Sequence, residues 1–88
     1  MSDTNFQDEQ FEYSESYIND MYNATHDSCN LISKIQNNDQ EIAHIDPSVR
    51  EEILQINLQH IRIMMSKTFW GNRDLTPFQN ILNLFDSQ

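Results

Sequence analysis

The 88-residue chain contains one glycine and two prolines, and this scarcity limits its fold more than any other feature. β-Hairpin architectures use turn residues at every chain reversal, glycine above all where φ must be positive. A chain with so few of them reads as a small number of helices joined by few turns. The two prolines support that reading, because each follows a capping residue. Asp46-Pro47 and Thr76-Pro77 pair a side chain that accepts from exposed amides with a residue that needs no amide donor at the first helical position.

From Pro47 onward the apolar residues Val49, Ile53, Ile56, Met64 and a second row Leu54, Leu58, Ile61, Met65 recur at three- and four-residue steps. The spacing predicts a central helix running to about Lys67, with a stripe wide enough to touch two neighbours. Ser48 and Glu51 also form a capping-box pattern, which shifts the alternative start by two residues. The segment Phe69-Trp70-Gly71-Asn72-Arg73-Asp74 holds the glycine and is expected to close the central helix as a turn. Beyond Thr76-Pro77, the face Phe78, Ile81, Leu82, Phe85 marks a short final helix.

Upstream, Phe11, Ile18, Met21, Thr25, Ile32 and Ile35 fall near one stripe, with Tyr13, Tyr17, Ala24 and Leu31 beside it. This predicts a long first helix from about Asp8 to Gln36. Its many Asn and Ser residues compete for backbone hydrogen bonds, so a break near residues 26 to 30 is one expectation. Asn37-Asn38-Asp39 supplies the turn out of it, and Glu41 to His44 are candidates for a further short helical piece. The expected fold is all-α: a small three-helix arrangement, with a long helical hairpin plus a short C-terminal helix. It forms a single acidic domain over residues 1–88, with a mobile tail at residues 1–7.

A chain of this length buries only about 60 to 65% of its unfolded surface, so modest stability, helped by self-association or a partner, is expected. The formal charge is −9, and it is unevenly placed: Asp3, Asp8, Glu9, Glu12, Glu15, Asp20 and Asp27 all precede the first basic residue, Lys34. Such a balance disfavours phosphate backbones and anionic lipid and favours a protein partner with a basic surface. The opening MSDTNFQDEQFEYSES lacks the basic start and apolar run of a secretory leader. The most apolar region, Ile53 to Met65, is interrupted by polar residues and falls short of the roughly 20 that a bilayer crossing needs. The expectation is a cytoplasmic protein with no membrane span, and the lone Cys29 suits a reducing compartment.

Signals for chemistry are weak. His26 and Cys29 share a helix face, yet two ligands do not make a structural zinc site, and His44 and His60 stand apart. Phosphate-cradling loops need several glycines, and no nucleophile constellation accompanies Cys29. No catalytic residue, cofactor or metal is therefore assigned. Contact residues are better supported. Asp8, Glu9, Glu12 and Glu15 place carboxylates along one helix face that a basic groove could dock on, although acids in a first turn also favour the helix dipole and solubility. Trp70 with Arg73 matches the residue types that dominate interfaces, while Phe69 and Trp70 equally suit a role capping the core. Tyr13, Tyr17 and Tyr22 divide in the same way between groove lining and a contact surface, and Tyr13 and Tyr17 join the candidate contact set.

The block from Val49 to Phe78 carries one resemblance. Its Arg50-Glu51-Glu52-Ile53-Leu54 start, His60-Ile61-Arg62-Ile63-Met64 middle and Phe69-Trp70 followed by Asp74-Leu75-Thr76-Pro77-Phe78 resemble short, acidic, uncharacterised proteins of T4-like marine bacteriophages. It covers about a third of the chain and brings no motif of known activity. It implies a small protein made inside an infected bacterial cell, either a modulator of a host factor or a minor assembly component. The leading expectation is thus a non-enzymatic interaction module that presents acidic residues to a host protein. The alternative is a self-associating structural or minor virion protein, motivated by the wide apolar stripe of the central helix.

Overall fold

The computed structural model describes residues 13–86, which form three helices and no strand. We label them α1 (Glu15–Gln36), α2 (Pro47–Met65) and α3 (Thr76–Asp86). Each packs on the other two. The all-α three-helix arrangement expected from the sequence is the one observed. The segment at residues 1–7, and with it the expected mobile tail, lies outside the described residues.

Helix α1 starts later than its periodicity suggested. Ser14 is extended (φ −67°, ψ 155°), and its Oγ accepts from the Tyr17 amide at 3.0 Å, so a serine cap fixes the first turn at Glu15 rather than near Asp8. The helix then runs unbroken for 22 residues, through the expected break at 26 to 30. Two of its polar residues are satisfied from inside the bundle. Thr25, fully buried, donates from Oγ1 to the Met21 carbonyl at 2.7 Å. Ser28 shares a 2.7 Å hydrogen bond between its Oγ and His60 Nδ1 on α2. Thr25 thus bonds back onto its own helix, while Ser28, a residue that weakens an isolated helix, becomes a tertiary contact.

The exit from α1 is a Schellman turn. Asn38 adopts a left-handed φ of 54°, its amide donates to the Ile35 carbonyl at 3.2 Å, and the Asp39 amide donates to the Lys34 carbonyl at 3.0 Å. Residues 39–45 do not add a helical piece. They form successive turns with i to i+3 bonds from Ile42 to Asp39 and from Ile45 to Ile42, pinned by buried Ile42. Lys34 reaches across this bend to Glu41, and the hydrogen bond holds the ammonium proton above the ordinary lysine range.

Helix α2 begins as the sequence indicated, with Asp46 Oδ1 accepting from the Ser48 amide at 3.2 Å and Pro47 in the first turn. It ends at Met65, short of Lys67, and glycine plays no part in the ending. Ser66 caps it, donating from Oγ to the Ile63 carbonyl at 2.6 Å, and Trp70 Nε1 donates to the Met64 carbonyl at 2.9 Å. Gly71 (φ +64°) serves a separate tight turn closed by the Arg73 amide on the Trp70 carbonyl at 3.2 Å. An added Cβ there would meet nothing within 4 Å, so backbone conformation alone asks for glycine.

At α3 the cap is Asp74 rather than Thr76. Its Oδ1 accepts from the Thr76 amide at 3.0 Å, and donation by Thr76 holds the Asp74 carboxyl below the usual carboxylate range. The core lies where the three helices meet: Cys29 and Ile32 of α1, Leu58 and Ile61 of α2, and Phe78 and Leu82 of α3. Only one of the two apolar rows of α2 serves it. Leu54, Leu58, Ile61 and Met65 pack inward, whereas Val49 and Ile56 of the other row stand exposed, as does Ile63.

Candidate functional site

Six of the nine residues read as contact candidates fall within the described residues, and they converge. Tyr13, Glu15 and Tyr17 come from the start of α1, and Phe69, Trp70 and Arg73 from the loop between α2 and α3. Asp8, Glu9 and Glu12 lie outside the described residues.

Arg73 builds the junction. Its Nη2 donates to Glu15 Oε1 at 2.7 Å and to Asn19 Oδ1 at 2.6 Å, while Nη1 donates to the Trp70 carbonyl at 3.2 Å. Glu15 and Asn19 are four residues apart, so one turn of α1 offers two acceptors on one face. The planar guanidinium suits such divided donation. With its side chain only 19% exposed, Arg73 clamps the loop to α1 instead of projecting as an anchor.

Around this clamp the aromatic rings run from surface to core. Tyr13 stacks on Tyr17 with ring centres 4.9 Å apart, and Phe69 meets Tyr13 edge-on at 5.1 Å. Phe69 in turn meets Trp70 edge-on at 4.8 Å, and Trp70, Tyr22, His26 and Phe78 continue the contacts inward. Each contact has the offset or edge-on geometry that ring quadrupoles favour. The chain of rings separates the candidates by depth. Trp70 is only 3% exposed, so its indole supports the surface from beneath. Tyr17 is 43% exposed, with Tyr13 and Phe69 half-buried beside it. The outer surface of the cluster is therefore tyrosine and phenylalanine, with the largely exposed Glu15 carboxylate at its edge.

Sequence reasoning missed Asn19, and it left Tyr22 undecided between groove lining and contact surface. Asn19 looked like one more weak helix residue; the available signal was its position one turn after Glu15. Tyr22 donates from its hydroxyl to the Asp74 carbonyl at 2.6 Å, a contact spanning 52 residues that no local pattern announces.

His26 packs its ring edge-on against Tyr22 and Phe78, with centroids 4.8 Å away in both cases. Cys29 is buried among apolar groups, and burial pushes its thiol up from its ordinary value, which disfavours the reactive thiolate. Among the described residues no three His, Cys, Asp or Glu side chains are grouped to hold a metal, and no helix is long and apolar enough to cross a membrane. No protein-family model, curated protein or solved structure matches the chain.

Proposed function

We propose that the protein is a non-enzymatic interaction module whose contact surface is the aromatic patch of Tyr13, Tyr17 and Phe69, together with the carboxylates around it. The observation that carries this reading is the exposure of Tyr17 at the outer end of a chain of rings anchored in the core. Aromatics held in place from below lose little freedom on binding, and that makes them effective contacts. Glu15 borders the patch, and Asp8, Glu9 and Glu12 precede it in the chain, so the partner is a protein with a basic surface bearing an apolar recess. Nucleic acid and anionic membrane are disfavoured by the charge of −9. The resemblance to small phage proteins suggests a host protein as that partner, met in the cytoplasm of an infected bacterium.

The test compares capture of bacterial proteins by the wild-type chain with capture by Tyr17→Ser and by the double charge reversal Glu9→Lys, Glu12→Lys. A partner retained at low salt by wild type and lost by both variants, each with unchanged helical circular dichroism, is the expected result. Equal retention by all three would end this reading.

A further inference from the structure

Val49, Ile56 and Ile63 stand seven residues apart on α2 and are 42%, 67% and 44% exposed. A repeat of seven keeps side chains in line along a helix that has another helix beside it, because 3.5 residues per turn is the period of two wound partners. The stripe is one side chain wide. Exposed Glu52 and Gln59 flank it on one side, and half-buried Ile53 and His60 on the other. Among the described residues no helix covers it, since α1 and α3 both lie on the inner row, and its spacing is that of the seam of a helix pair.

The charges around the seam identify that member. From Asp46 to Ile56 the chain carries Asp46, Glu51 and Glu52 against Arg50 alone. From Asn57 to Arg73 it carries Arg62, Lys67 and Arg73 and no carboxylate. Arg62 and Arg73 are already bonded to Asp86 and Glu15, so among the described residues Lys67 is the cation of this half without a carboxylate. Arg62 is the one base of α2 after Ile56, and Lys67 follows just beyond the helix end; a segment acidic before Ile56 and basic after it is complementary to itself when reversed. A parallel copy would set like charges and like dipole ends side by side.

We propose that the outer face of α2 pairs with the same face of a second copy, antiparallel, about a two-fold axis at Ile56. Reversal about that residue sets Ile56 against Ile56 of the second copy, Val49 against Ile63, and Glu52 beside Gln59. It brings Lys67 next to Asp46. Such a contact is isologous, so it closes as a dimer and does not extend into a filament. The seam from Val49 to Ile63 spans about 21 Å at 1.5 Å per residue, well below an obligate interface, and the −9 charge of each copy opposes association. The dimer is accordingly weak, with a dissociation constant on the order of 10 to 100 μM.

This inference stands apart from the aromatic patch, which lies at the ends of α1 and of the α2–α3 loop. Sedimentation velocity of the full chain from about 1 to 500 μM near physiological salt tests it, with a range set by that dissociation constant. Wild type is expected to shift from monomer to dimer across this range. Ile56→Glu is expected to weaken association at least about 100-fold, because the substitution strikes both copies at the axis. Ile56 is exposed in the monomer, so this variant should keep the wild-type circular dichroism and the capture behaviour of the aromatic patch. Orientation is read separately by oxidative cross-linking, with buried Cys29 left in place. Ile56→Cys should form a disulfide-linked dimer, whereas Val49→Cys should do so only when mixed with Ile63→Cys. A wild-type monomer at 500 μM, an Ile56→Glu chain that dimerises like wild type, or efficient self-cross-linking of Val49→Cys alone would overturn the proposal.

Discussion

Helices α1 and α2 present contrasting faces to solvent. Along α1 the exposed residues include Ser16, Asn19, Asp20, Asn23, Asp27 and Asn30, while its aliphatic side chains are buried or half-buried. Along α2 three β-branched residues remain outside. The difference follows from how many apolar rows each helix has and how many neighbours it meets. Helix α1 has one principal row, and α2 and α3 together cover it. Helix α2 has two rows, but α3, at 11 residues, joins α1 on the inner row and leaves Val49, Ile56 and Ile63 outside. Amphipathicity records what a helix is able to bury; the neighbours present decide what it does bury.

The largest expected effect probes the two rows at their extremes. Phe78 has no exposure and fills the junction of the three helices, so Phe78→Ala should cost about 3 to 5 kcal/mol by lost burial and the cavity left behind. In a domain this small that consumes much of the total stability, and urea unfolding followed by circular dichroism should show a largely unfolded chain in dilute buffer. Ile56→Ala, measured at low micromolar concentration, should change stability by no more than about 0.5 kcal/mol. A loss from Ile56→Ala that approached the Phe78 value would mean that the outer row is packed, and the contrast would fail.

How much of this was legible in the sequence depends on the range of the interaction. The starts of α2 and α3 were marked by Asp46-Pro47 and by the residues around Pro77, because capping is settled within a few positions. Even there the accepting side chain is Asp74, because the helix begins at Thr76 itself and the exposed amide is that of Thr76. The start of α1 was misplaced because the acidic, partly apolar residues 8–13 continue the helical period, and Ser14 competes for the first turn with its own hydroxyl. The expected break near residues 26 to 30 was a local inference overturned by a distant partner, His60, 32 residues from Ser28. Within the candidate surface, residue types suggested Tyr13, Tyr17, Phe69, Trp70 and Arg73, but not their depths. Trp70 and Arg73 proved to be supports because their partners lie on other segments.

An intermediate effect concerns the entry to α3, whose position holds Phe78 in the core. The Asp74 carboxyl titrates below the usual carboxylate range because Thr76 donates to its charged form, so the unfolded chain binds that proton more readily than the folded one. Its contribution is therefore complete above the unfolded pKa, about 4, and is lost as pH falls through the lower folded value. Asp74→Asn keeps an acceptor for the Thr76 amide but removes the charge. Urea midpoints should show the variant less stable than wild type at neutral pH, with the gap closing in acid. A gap that held constant down to pH 3 would assign the effect to geometry and not to charge.

The smallest expected effect tests whether the outer face of α1 is complete within the monomer. Asp20 and Asp27 project from it seven residues apart, the same interval as the apolar stripe of α2, and both side chains are exposed. Asp20→Asn with Asp27→Asn removes two charges from a chain at −9 and leaves side chains of nearly the same shape. Relief of net repulsion and the removal of acids from mid-helix both act weakly, so stability should change by no more than about 0.5 kcal/mol. The dimer constant should likewise hold within roughly threefold, because neither residue borders the α2 seam and their charge is screened over about 8 Å at physiological salt. Urea unfolding and sedimentation of the same sample read the two quantities together. A destabilisation above 1 kcal/mol would mean that these carboxylates satisfy a contact, and a tenfold change in association would draw α1 into the interface; either result would dissolve the distinction between a finished helix and an open one.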